Sequence, residues 1–434
     1  LLKNVQTHKK RENIMKDIII NRDFYLNKLI SKRNNKMIKI VTGVRRCGKS
    51  YLLDPIFKNY LLENGVDEEH IIKLELDSIE NFEYHEPKKL YDYIMAQIKD
   101  KETYYIILDE IQLVDNFESV LNSFLRKSNL DVYVTGSNSK FLSSDVITEF
   151  RGRGDEIRVF PLTFKEYISI FDGSKDEAWN KYITYGGMPY SVMLESTEEK
   201  SKYLKDLFEN TYLKDILERN SIKRDDVLDS LVDMLASSIG SLTNPKKLSD
   251  TFSSNGFNDV TNKTISNYIN YLLDSFLINK AERYDIKGKK YISTPSKYYF
   301  VDVGLRNARL NFRQQEYDHL MENLIYNELL YRGYNVDVGV VEVFEHNKEN
   351  VTIRKQLEID FVCNQGSKRY YIQSAYNIDS KEKEKQEMRS LKNVNDFFKK
   401  VIVVKDDIEP WHNEDGVLII GIKDFLLNEN SLDI

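Results

Sequence analysis

Cysteine is scarce in this sequence of 434 residues, and long apolar runs and an excess of positive charge are absent. The two cysteines, Cys47 and Cys363, lie far apart, which excludes a disulfide framework and favours a reducing, cytoplasmic compartment. No apolar stretch reaches the roughly 20 residues of a membrane helix, so we expect no membrane association. The net charge of −6 excludes a general affinity for polyanions, so any nucleic-acid surface must be local.

The residues that are present have the composition of a globular protein with several domains. Hydrophobic residues make up 41% of the chain and charged residues 30%. A chain of 434 residues corresponds to about three domains of ~100–200 residues each. The first 14 residues are polar and lack periodicity, whereas Met15 begins a more regular segment. We expect residues 1–14 to be an upstream extension or a disordered tail.

The most informative stretch is MIKIVTGVRRCGKS, which runs from Met37 to Ser50. An apolar run precedes G-x-x-x-x-G-K-S and the helical pattern YLLDPIFKNYLL follows it, which favours a phosphate-binding loop over a chance match in a βα turn. Its glycines let backbone N–H groups converge on phosphate at the positive end of a helix. Lys49 is predicted to reach the β- and γ-phosphates of a nucleotide, and Ser50 to bind Mg²⁺. The predicted nucleotide-binding residues are Gly43, Arg45, Arg46, Cys47, Gly48, Lys49, Ser50 and Tyr51.

A second apolar segment, TYYIILDEIQ, ends in Asp109 and Glu110. This pattern is typical of a Walker B strand, in which Asp109 would hold Mg²⁺ through water and Glu110 would orient or deprotonate the attacking water. The segment DVYVTGSNS predicts another buried strand with polar residues at its carboxyl end, where ligands of open α/β sheets bind. Ser137 and Asn138 are therefore candidates for sensing the γ-phosphate, although Gly-Ser-Asn is also ordinary turn chemistry.

Two arginines, Arg151 and Arg153, lie in the glycine-punctuated stretch FRGRGDEIRVF. An arginine that reaches the γ-phosphate on a neighbouring subunit would supply transition-state charge in trans. This role requires a homo-oligomer. The alternative is a pair of surface arginines in a loop.

Together these segments resemble a known family. VTGVRRCGKS, YIILDEIQ, VTGSNS, FRGR and VFPLTFKEY are similar to segments of the prokaryotic AAA-type ATPases that carry a carboxyl-terminal domain of uncharacterised function. The resemblance continues through YGGMP, FVDVGLRNA, MENLIYNELLYRGYNV, EIDFVC and YYIQSAY. It implies adenine rather than guanine nucleotides, and it favours Arg153 over Arg151 as the residue that acts in trans.

The fold implied by the resemblance is α/β, with a P-loop NTPase core of the AAA type followed by three further modules. The expected boundaries are 1–35 for an N-terminal extension and first helix, 36–160 for the ATPase core, 161–222 for a helical lid, 223–310 for a winged-helix-like domain and 311–434 for a restriction-endonuclease-like α/β domain.

The region 223–310 has the pattern of a helix-turn-helix followed by a hairpin. In DNA-binding versions the second helix of the pair enters the major groove by its amino end. The residues expected to face DNA there are Asn262, Lys263, Thr264, Ser266 and Asn267. Five lysines could touch the DNA backbone, namely Lys246, Lys247, Lys287, Lys289 and Lys290. The alternative is a packing module, because acids are interleaved with these lysines.

The terminal region resembles a nuclease whose metal site is degraded. Glu322 and Asp360 match the first two acids of that site, but Gln373 and Ala375 stand where a carboxylate and a lysine are needed. Losing both should cripple Mg²⁺-dependent cleavage, because hard divalent ions need anionic oxygens and the lysine stabilises the developing charge. We expect an inactive nuclease-like scaffold, in which the two acids either bind metal weakly or only make hydrogen bonds.

Our leading hypothesis is a cytoplasmic ATPase that hydrolyses ATP with Mg²⁺ and acts as a conformational switch on its carboxyl-terminal modules. A second hypothesis is a DNA-binding factor gated by nucleotide. A third is an active Mg²⁺-dependent nuclease.

Overall fold

The computed structural model describes residues 20–137, 152–346, 351–378 and 380–434. They divide into two compact units. The first runs to Pro161 and includes Asp274–Phe276, and the second consists of Leu162–Leu273 and Leu277–Ile434. In the described ranges no helix combines the length and the apolar composition that a bilayer span requires.

The first unit contains a parallel sheet flanked by helices. Its strands, in the described part of the unit, are β1 (Ile38–Thr42), β2 (Ile71–Glu75), β3 (Tyr104–Asp109), β4 (Leu130–Gly136) and β5 (Gly154–Arg158). Its α-helices, in the same ranges, are α1 (Asp23–Ser31), α2 (Lys49–Tyr51), α3 (Lys58–Glu63), α4 (Pro87–Gln97) and α5 (Phe117–Leu125). The spatial order of the strands is β2-β3-β4-β1-β5, and every neighbouring pair is parallel.

Strands β1 and β3 are buried along their whole length, as expected for parallel strands covered on both faces. One apolar cluster combines residues of β1 to β4 with α4 and α5, including Ile40, Ile106, Leu90 and Leu121. Strand β4 lies between β1 and β3, so the strands that precede the two nucleotide motifs are not direct neighbours. Ser137, which directly follows β4, therefore lies between these motifs.

The helix predicted after the phosphate loop is interrupted. Between α2 and α3 the segment Leu52–Phe57 has π-helical hydrogen bonding, and Asp54 has extended backbone angles (φ −144°, ψ 114°). The cause is Pro55, whose ring disfavours helical angles at the residue before it. The prediction of one continuous helix was wrong at this point.

The second unit begins with helices, as predicted for 161–222. They are α6 (Phe164–Ser169), α7 (Lys175–Tyr185), α8 (Pro189–Met193), α9 (Thr197–Leu207) and α10 (Lys214–Arg219), with a π-helical segment, Phe208–Leu213, between the last two. Reciprocal capping boxes start α6 at Thr163 and α7 at Ser174. The buried faces of α6 and α7 share one apolar cluster with strands near the end of the chain. The segment predicted as a lid thus packs into the core of the second unit.

Three helices and a hairpin follow, in the predicted order. They are α11 (Asp225–Ser237), α12 (Pro245–Ser254), α13 (Asn262–Asp274), β6 (Ile278–Asp285) and β7 (Lys290–Phe300). An antiparallel bridge joins Thr243, between α11 and α12, to Ser296 on β7. The hairpin is not a free wing, because β6 pairs in parallel with a strand of the terminal region at Arg283–Val338. Strands before and after the predicted boundary at residue 310 therefore belong to one sheet.

The remaining elements complete a mixed sheet. They are α14 (Val303–Arg309), α15 (Tyr317–Tyr331), β8 (Asn335–His346), β9 (Thr352–Gln365), β10 (Lys368–Ala375), α16 (Lys381–Lys392), β11 (Lys399–Val404), β12 (Trp411–His412), β13 (Leu418–Gly421) and α17 (Ile422–Leu427). The strand order is β12-β13-β11-β10-β9-β8-β6-β7, with parallel and antiparallel pairs. Helix α15 is buried on nearly all sides, which agrees with its apolar sequence.

Two glycine-containing motifs meet inside the second unit. The Asp302 carboxylate accepts hydrogen bonds from the backbone N–H of Gly187 (2.6 Å) and of Leu305 (3.0 Å), so it caps α14 and holds the turn after α7. A Cβ on Gly186 would lie 2.2 Å from this carboxylate, and one on Gly187 would lie 2.1 Å from the Leu162 carbonyl oxygen. The YGGMP and FVDVG segments are thus explained by close packing of backbone.

Candidate nucleotide site

The loop after β1 has the conformation that its glycines predict. Gly43 (φ 141°) and Gly48 (φ 99°) have positive φ angles that favour glycine. A Cβ on Gly43 would lie 2.2 Å from the Val159 carbonyl oxygen, so no larger residue fits. Gly48 directly precedes α2, which places the loop at the amino end of a helical segment.

Lys49 is held inside this loop. It is 5% exposed, and its Nζ donates to the carbonyl oxygens of Gly43 (3.1 Å) and Val44 (3.2 Å). These two bonds curl the loop around the ammonium. Ser50, the next residue, is exposed at the start of the helix. The structure therefore gives the loop a fixed positive charge and an accessible hydroxyl.

The other predicted loop residues differ in their surroundings. Arg45 and Tyr51 are half-buried, and Arg46 is exposed with a positive φ of 60°. The Cys47 side chain is buried, and its Sγ lies 3.5 Å from the Val159 carbonyl oxygen. Only the backbone of Cys47 is therefore available to a ligand.

The acids after β3 lie beside the end of β4. The Thr135 hydroxyl donates to Asp109 Oδ1 and accepts the backbone N–H of Glu110 (2.8 Å). Because Val41 pairs with Thr135 in the sheet, this threonine links the last residues of β1, β4 and β3 at one edge. Thr135 is one of the polar residues predicted at the carboxyl end of β4, but no contact with the acids was predicted for it. Its position at the carboxyl end of a central strand was the signal for this role.

Glu110 is oriented by its neighbours. Its carboxylate Oε2 accepts from the Gln112 side-chain amide and from the Ser137 hydroxyl (3.3 Å). Its backbone is in the left-handed region (φ 53°), a sparsely populated conformation for a residue other than glycine. The predicted sensor Ser137 is thus brought to the predicted catalytic acid, while Asn138 lies outside the described residues.

A layer behind the loop was missed by sequence reasoning. The Arg22 guanidinium donates to the carbonyl oxygens of Cys47 (3.2 Å) and Phe160 (2.7 Å), and it is 3% exposed. The Tyr25 hydroxyl accepts the backbone N–H of Phe160 (2.9 Å). Helix α1 therefore braces the phosphate loop. An arginine in a polar amino-terminal segment carries no sequence signal for such a contact.

Arg153 lies away from this edge of the sheet. It is exposed, and its carbonyl oxygen accepts the N–H of Ile38 at the start of β1, whereas the phosphate loop follows the end of β1. The five residues of β1 span about 16 Å at ~3.3 Å each. Arg153 is therefore not part of the nucleotide site of its own chain, and its predicted role in trans stays a prediction. Arg151 lies outside the described residues.

The residues predicted to face DNA gather at the start of α13. Asn262, Lys263 and Asn267 are exposed, and Thr264 and Ser266 are half-buried. Among the predicted backbone contacts, Lys287 donates to the Glu342 carbonyl oxygen (2.8 Å). The lysines 246 and 247 line a shallow depression on α12 together with Asp250.

Comparisons with known proteins agree with the first unit. The sequence pattern of an AAA domain matches residues 35–168, and two domains of unknown function, DUF8612 and DUF4143, match residues 176–316 and 317–425. An uncharacterized protein of Haemophilus influenzae is 34% identical over 423 residues, which cover 95% of this chain and 100% of that protein. This chain belongs to that family of AAA-domain proteins. The predicted AAA-type core and the uncharacterised carboxyl-terminal region are thereby confirmed.

Another similar protein is also uncharacterized, and two solved structures are only weakly similar to this chain. A Methanocaldococcus jannaschii protein is 28% identical over 403 residues, covering 89% of this chain and 82% of that protein. The Aeropyrum pernix ORC1 protein, solved in complex with DNA, is 11% identical with a TM-score of 0.31, covering 68% of this chain and 93% of that one. Cdc6p from Pyrobaculum aerophilum is 11% identical with a TM-score of 0.30, covering 71% and 96%. Scores this low carry no argument about function.

Proposed function

We propose that the chain binds ATP with Mg²⁺ at the loop between β1 and α2 and hydrolyses it to ADP and phosphate. The observation that carries this proposal is the joint placement, at one edge of a parallel sheet, of a glycine-shaped loop with a buried lysine and of two acids held by Thr135 and Ser137. Cationic and anionic groups at the same edge are what a metal-bound triphosphate requires.

The chemistry of the donors fits a magnesium nucleotide. The Lys49 ammonium donates only to neutral carbonyls in the bonds described above, so phosphate oxygens would be stronger partners for it. Mg²⁺ is usually bound by one or two protein ligands together with substrate phosphates and water. Ser50 and Asp109 would supply those protein ligands. When bound, the ion neutralises charge on the β- and γ-phosphates.

Glu110 is the residue that would act on water. Its carboxylate is positioned by Gln112 and Ser137. The strand that precedes it, β3, ends at Asp109. A carboxylate in that place orients a water molecule and takes up its proton as the bond to phosphorus forms. The Ser137 bond links this acid to the end of β4, where a γ-phosphate would be sensed.

The test separates binding from hydrolysis. Lys49→Ala should abolish calorimetric uptake of ATP, whereas Glu110→Gln should keep uptake and lose phosphate release. Lys89→Ala, an exposed lysine of the same unit, is the matched control and should change neither. A Lys49→Ala protein that hydrolyses ATP at the parent rate would overturn the proposal.

We further propose that ATP acts as a switch for the second unit and that Arg153 completes the site of a neighbouring copy. The exposure of Arg153 supports a role in trans. Size-exclusion chromatography with a slowly hydrolysed ATP analogue should reveal an assembly. In that assembly, mixing Arg153→Ala subunits with Glu110→Gln subunits should recover part of the ATPase activity that each variant alone has lost. Some sites then combine Glu110 of one subunit with Arg153 of its neighbour. A protein that stays monomeric both without nucleotide and with the ATP analogue would contradict a role of Arg153 in trans.

A second candidate function is nucleotide-gated DNA binding through α13. The observation in its favour is that the side chains of the first turns, Asn262, Lys263 and Asn267, are exposed together at the amino end of the helix. Fluorescence anisotropy with duplex DNA, with and without ATP, tests it. Binding should weaken with salt and on Lys263→Ala, but not on Lys383→Ala, an exposed lysine of α16. No salt-dependent binding in either nucleotide state would end this candidate.

A further inference from the structure

A buried lysine lies among the acids of the terminal domain. Lys297 on β7 is 3% exposed, and its Nζ lies 2.8 Å from Glu322 Oε1, 2.7 Å from Glu358 Oε1 and 3.3 Å from Asp360 Oδ1. These acids come from α15 and β9, and they converge on one ammonium. Carboxylates that converge on one point are the ligands that hard divalent cations prefer.

The acids also have other partners. The Tyr299 hydroxyl donates to Glu322 Oε1 (2.6 Å), and the backbone N–H of Ser374 donates to Asp360 Oδ2 (2.9 Å). A Cβ on Gly240 would lie 3.1 Å from Glu322 Oε2, so backbone closes the site on that side. The carboxylate oxygens of Glu322 and Asp360 are therefore already bonded or covered, whereas the Glu358 side chain is 36% exposed.

The electrostatics favour a charged lysine. Burial alone would lower the pKa of Lys297, but Glu322, Asp360 and Glu358 outweigh burial and raise it. Burial raises the pKa of Glu322 to about 7 even though Lys297 opposes the shift. The ammonium is thus the charge that keeps these acids compatible with burial.

The residues do not fit the metal that a nuclease-like fold implies. The third position on β10 is Gln373, a neutral side chain, followed by the buried Ala375. Across the described ranges, no group of three or more His, Cys, Asp or Glu side chains is arranged to hold a metal ion. The cluster that comes nearest contains a lysine at its centre. Of the two alternatives for Glu322 and Asp360, weak metal binding or hydrogen bonding only, the contacts favour hydrogen bonding.

We propose that the Lys297 ammonium is the resident cation of this cluster, in the place where a metal-dependent nuclease holds its divalent ion. The domain is then stabilised by an internal charge and performs no metal-dependent cleavage. Removing the ammonium while leaving its space empty should turn the same acids into a divalent-cation site. Lys297 lies on β7, in the hairpin that was predicted as a wing. No sequence pattern connects that hairpin with the acids on α15 and β9.

Two substitutions at Lys297 separate the effect of removing its charge from the effect of emptying the space that its side chain fills. Lys297→Ala removes the ammonium and leaves room for an ion, whereas Lys297→Met removes the charge but fills much of the space. Thermal unfolding of the full chain without nucleotide should show both variants less stable than the parent in EDTA. Mn²⁺ at tenfold excess over its dissociation constant should raise the Tm of Lys297→Ala by about 2–3 °C. It should leave Lys297→Met and the parent unchanged.

Controls identify the acids as the source of the effect. Adding Asp360→Asn to Lys297→Ala should abolish the Mn²⁺ response. Lys280→Ala, which breaks an exposed lysine–glutamate pair on the neighbouring strand β6, should create no response. An equal Mn²⁺ response in the parent and in Lys297→Ala would overturn the proposal.

The parent protein provides a test that needs no folded Lys297 variant. Mn²⁺ binding is measured by calorimetry on the parent and on Glu322→Gln, both carrying Asp109→Asn so that the carboxylate expected to bind metal at the nucleotide loop makes no contribution. The proposal expects no binding that depends on Glu322, and plasmid DNA should stay intact with Mg²⁺ or Mn²⁺. Mn²⁺ uptake by the parent that disappears in Glu322→Gln would refute the proposal.

Discussion

Two of the buried lysines, Lys49 in the first unit and Lys297 in the second, have opposite kinds of surroundings. Lys49 is 5% exposed and donates to the carbonyl oxygens of its own loop, whereas Lys297 is 3% exposed and contacts three carboxylates. The charge of Lys297 is thus neutralised within the chain. The charge of Lys49 is met by dipoles only, and an anionic ligand would be a better partner. Burial of a lysine does not by itself indicate function, because the chemistry of the partner decides.

The same contrast applies to the acids. The carboxylates of Asp109 and Glu110 accept hydrogen bonds from hydroxyl and amide donors, which orient a carboxylate without cancelling its charge. Glu322 and Asp360 share one ammonium, which offsets part of their charge. We therefore expect substitutions in the first set to affect activity and substitutions in the second set to affect stability.

The largest expected effect is on catalysis. Glu110→Gln should lower the rate of ATP hydrolysis by about 10²- to 10⁴-fold, because the amide cannot accept the proton of the attacking water. Its unfolding midpoint should stay close to that of the parent. Phosphate release under saturating ATP measures the rate, and Glu80→Gln, an exposed acid of the same unit, is the control. A rate within threefold of the parent would place the base elsewhere.

The second effect is on stability and contrasts the two lysines directly. Lys297→Met should cost about 3–5 kcal/mol of unfolding free energy, because it leaves buried carboxylates without a cation. Lys49→Met, without nucleotide, should cost less than about 1.5 kcal/mol, because its partners are carbonyls that backbone groups or water can satisfy. Urea unfolding of both variants makes the comparison. Equal losses of unfolding free energy in the two variants would show that carboxylate and carbonyl partners make no difference to stability.

A third buried charge, Asp302, predicts a pH dependence. Burial raises its pKa to about 6, and its bonds to backbone N–H groups oppose but do not cancel the shift. Because the unfolded pKa is about 3.9, the folded state binds more protons between roughly pH 4 and 6, and this contribution to stability falls as pH rises through that window. The loss from pH 4 to pH 7 should be about 2–3 kcal/mol.

Asp302→Asn tests this dependence. The amide does not titrate, so the difference in unfolding free energy between parent and variant should change with pH by the amount given above. Urea unfolding at pH 4, 5.5 and 7 measures it. A parallel pH dependence for the two proteins would show that Asp302 keeps an ordinary pKa.

The smallest expected effect is on the brace behind the phosphate loop. Arg22→Met should cost about 1–3 kcal/mol, because the carbonyl groups of Cys47 and Phe160 lose a buried donor. ATP affinity should fall as well, since the loop is less well held, while the rate at saturating ATP should change little. Calorimetric titration and phosphate release separate the two quantities. A variant with unchanged affinity would make Arg22 purely a stabilising residue.

Prediction from sequence was most successful where function depends on a short continuous segment. The phosphate loop and the acids after β3 were found because strand, loop and helix patterns lie next to each other in the chain. Prediction was weakest where distant segments meet. The hairpin at 278–300 was assigned to a wing, because its pairing with β8 depends on backbone hydrogen bonds that leave no periodic signal. The break at Asp54 was missed even though Pro55 signals it.

By itself, the sequence determined the nucleotide loop, its lysine and the acids that accompany it, because local backbone geometry requires glycine at Gly43 and Gly48 whatever the rest of the fold does. Only the tertiary structure decided that Thr135 joins three strand ends, that Arg22 supports the loop and that Lys297 contacts the acids of the terminal domain. Those contacts join residues at least 25 positions apart. A charge acts through space, so its partner is known only when the chain is folded.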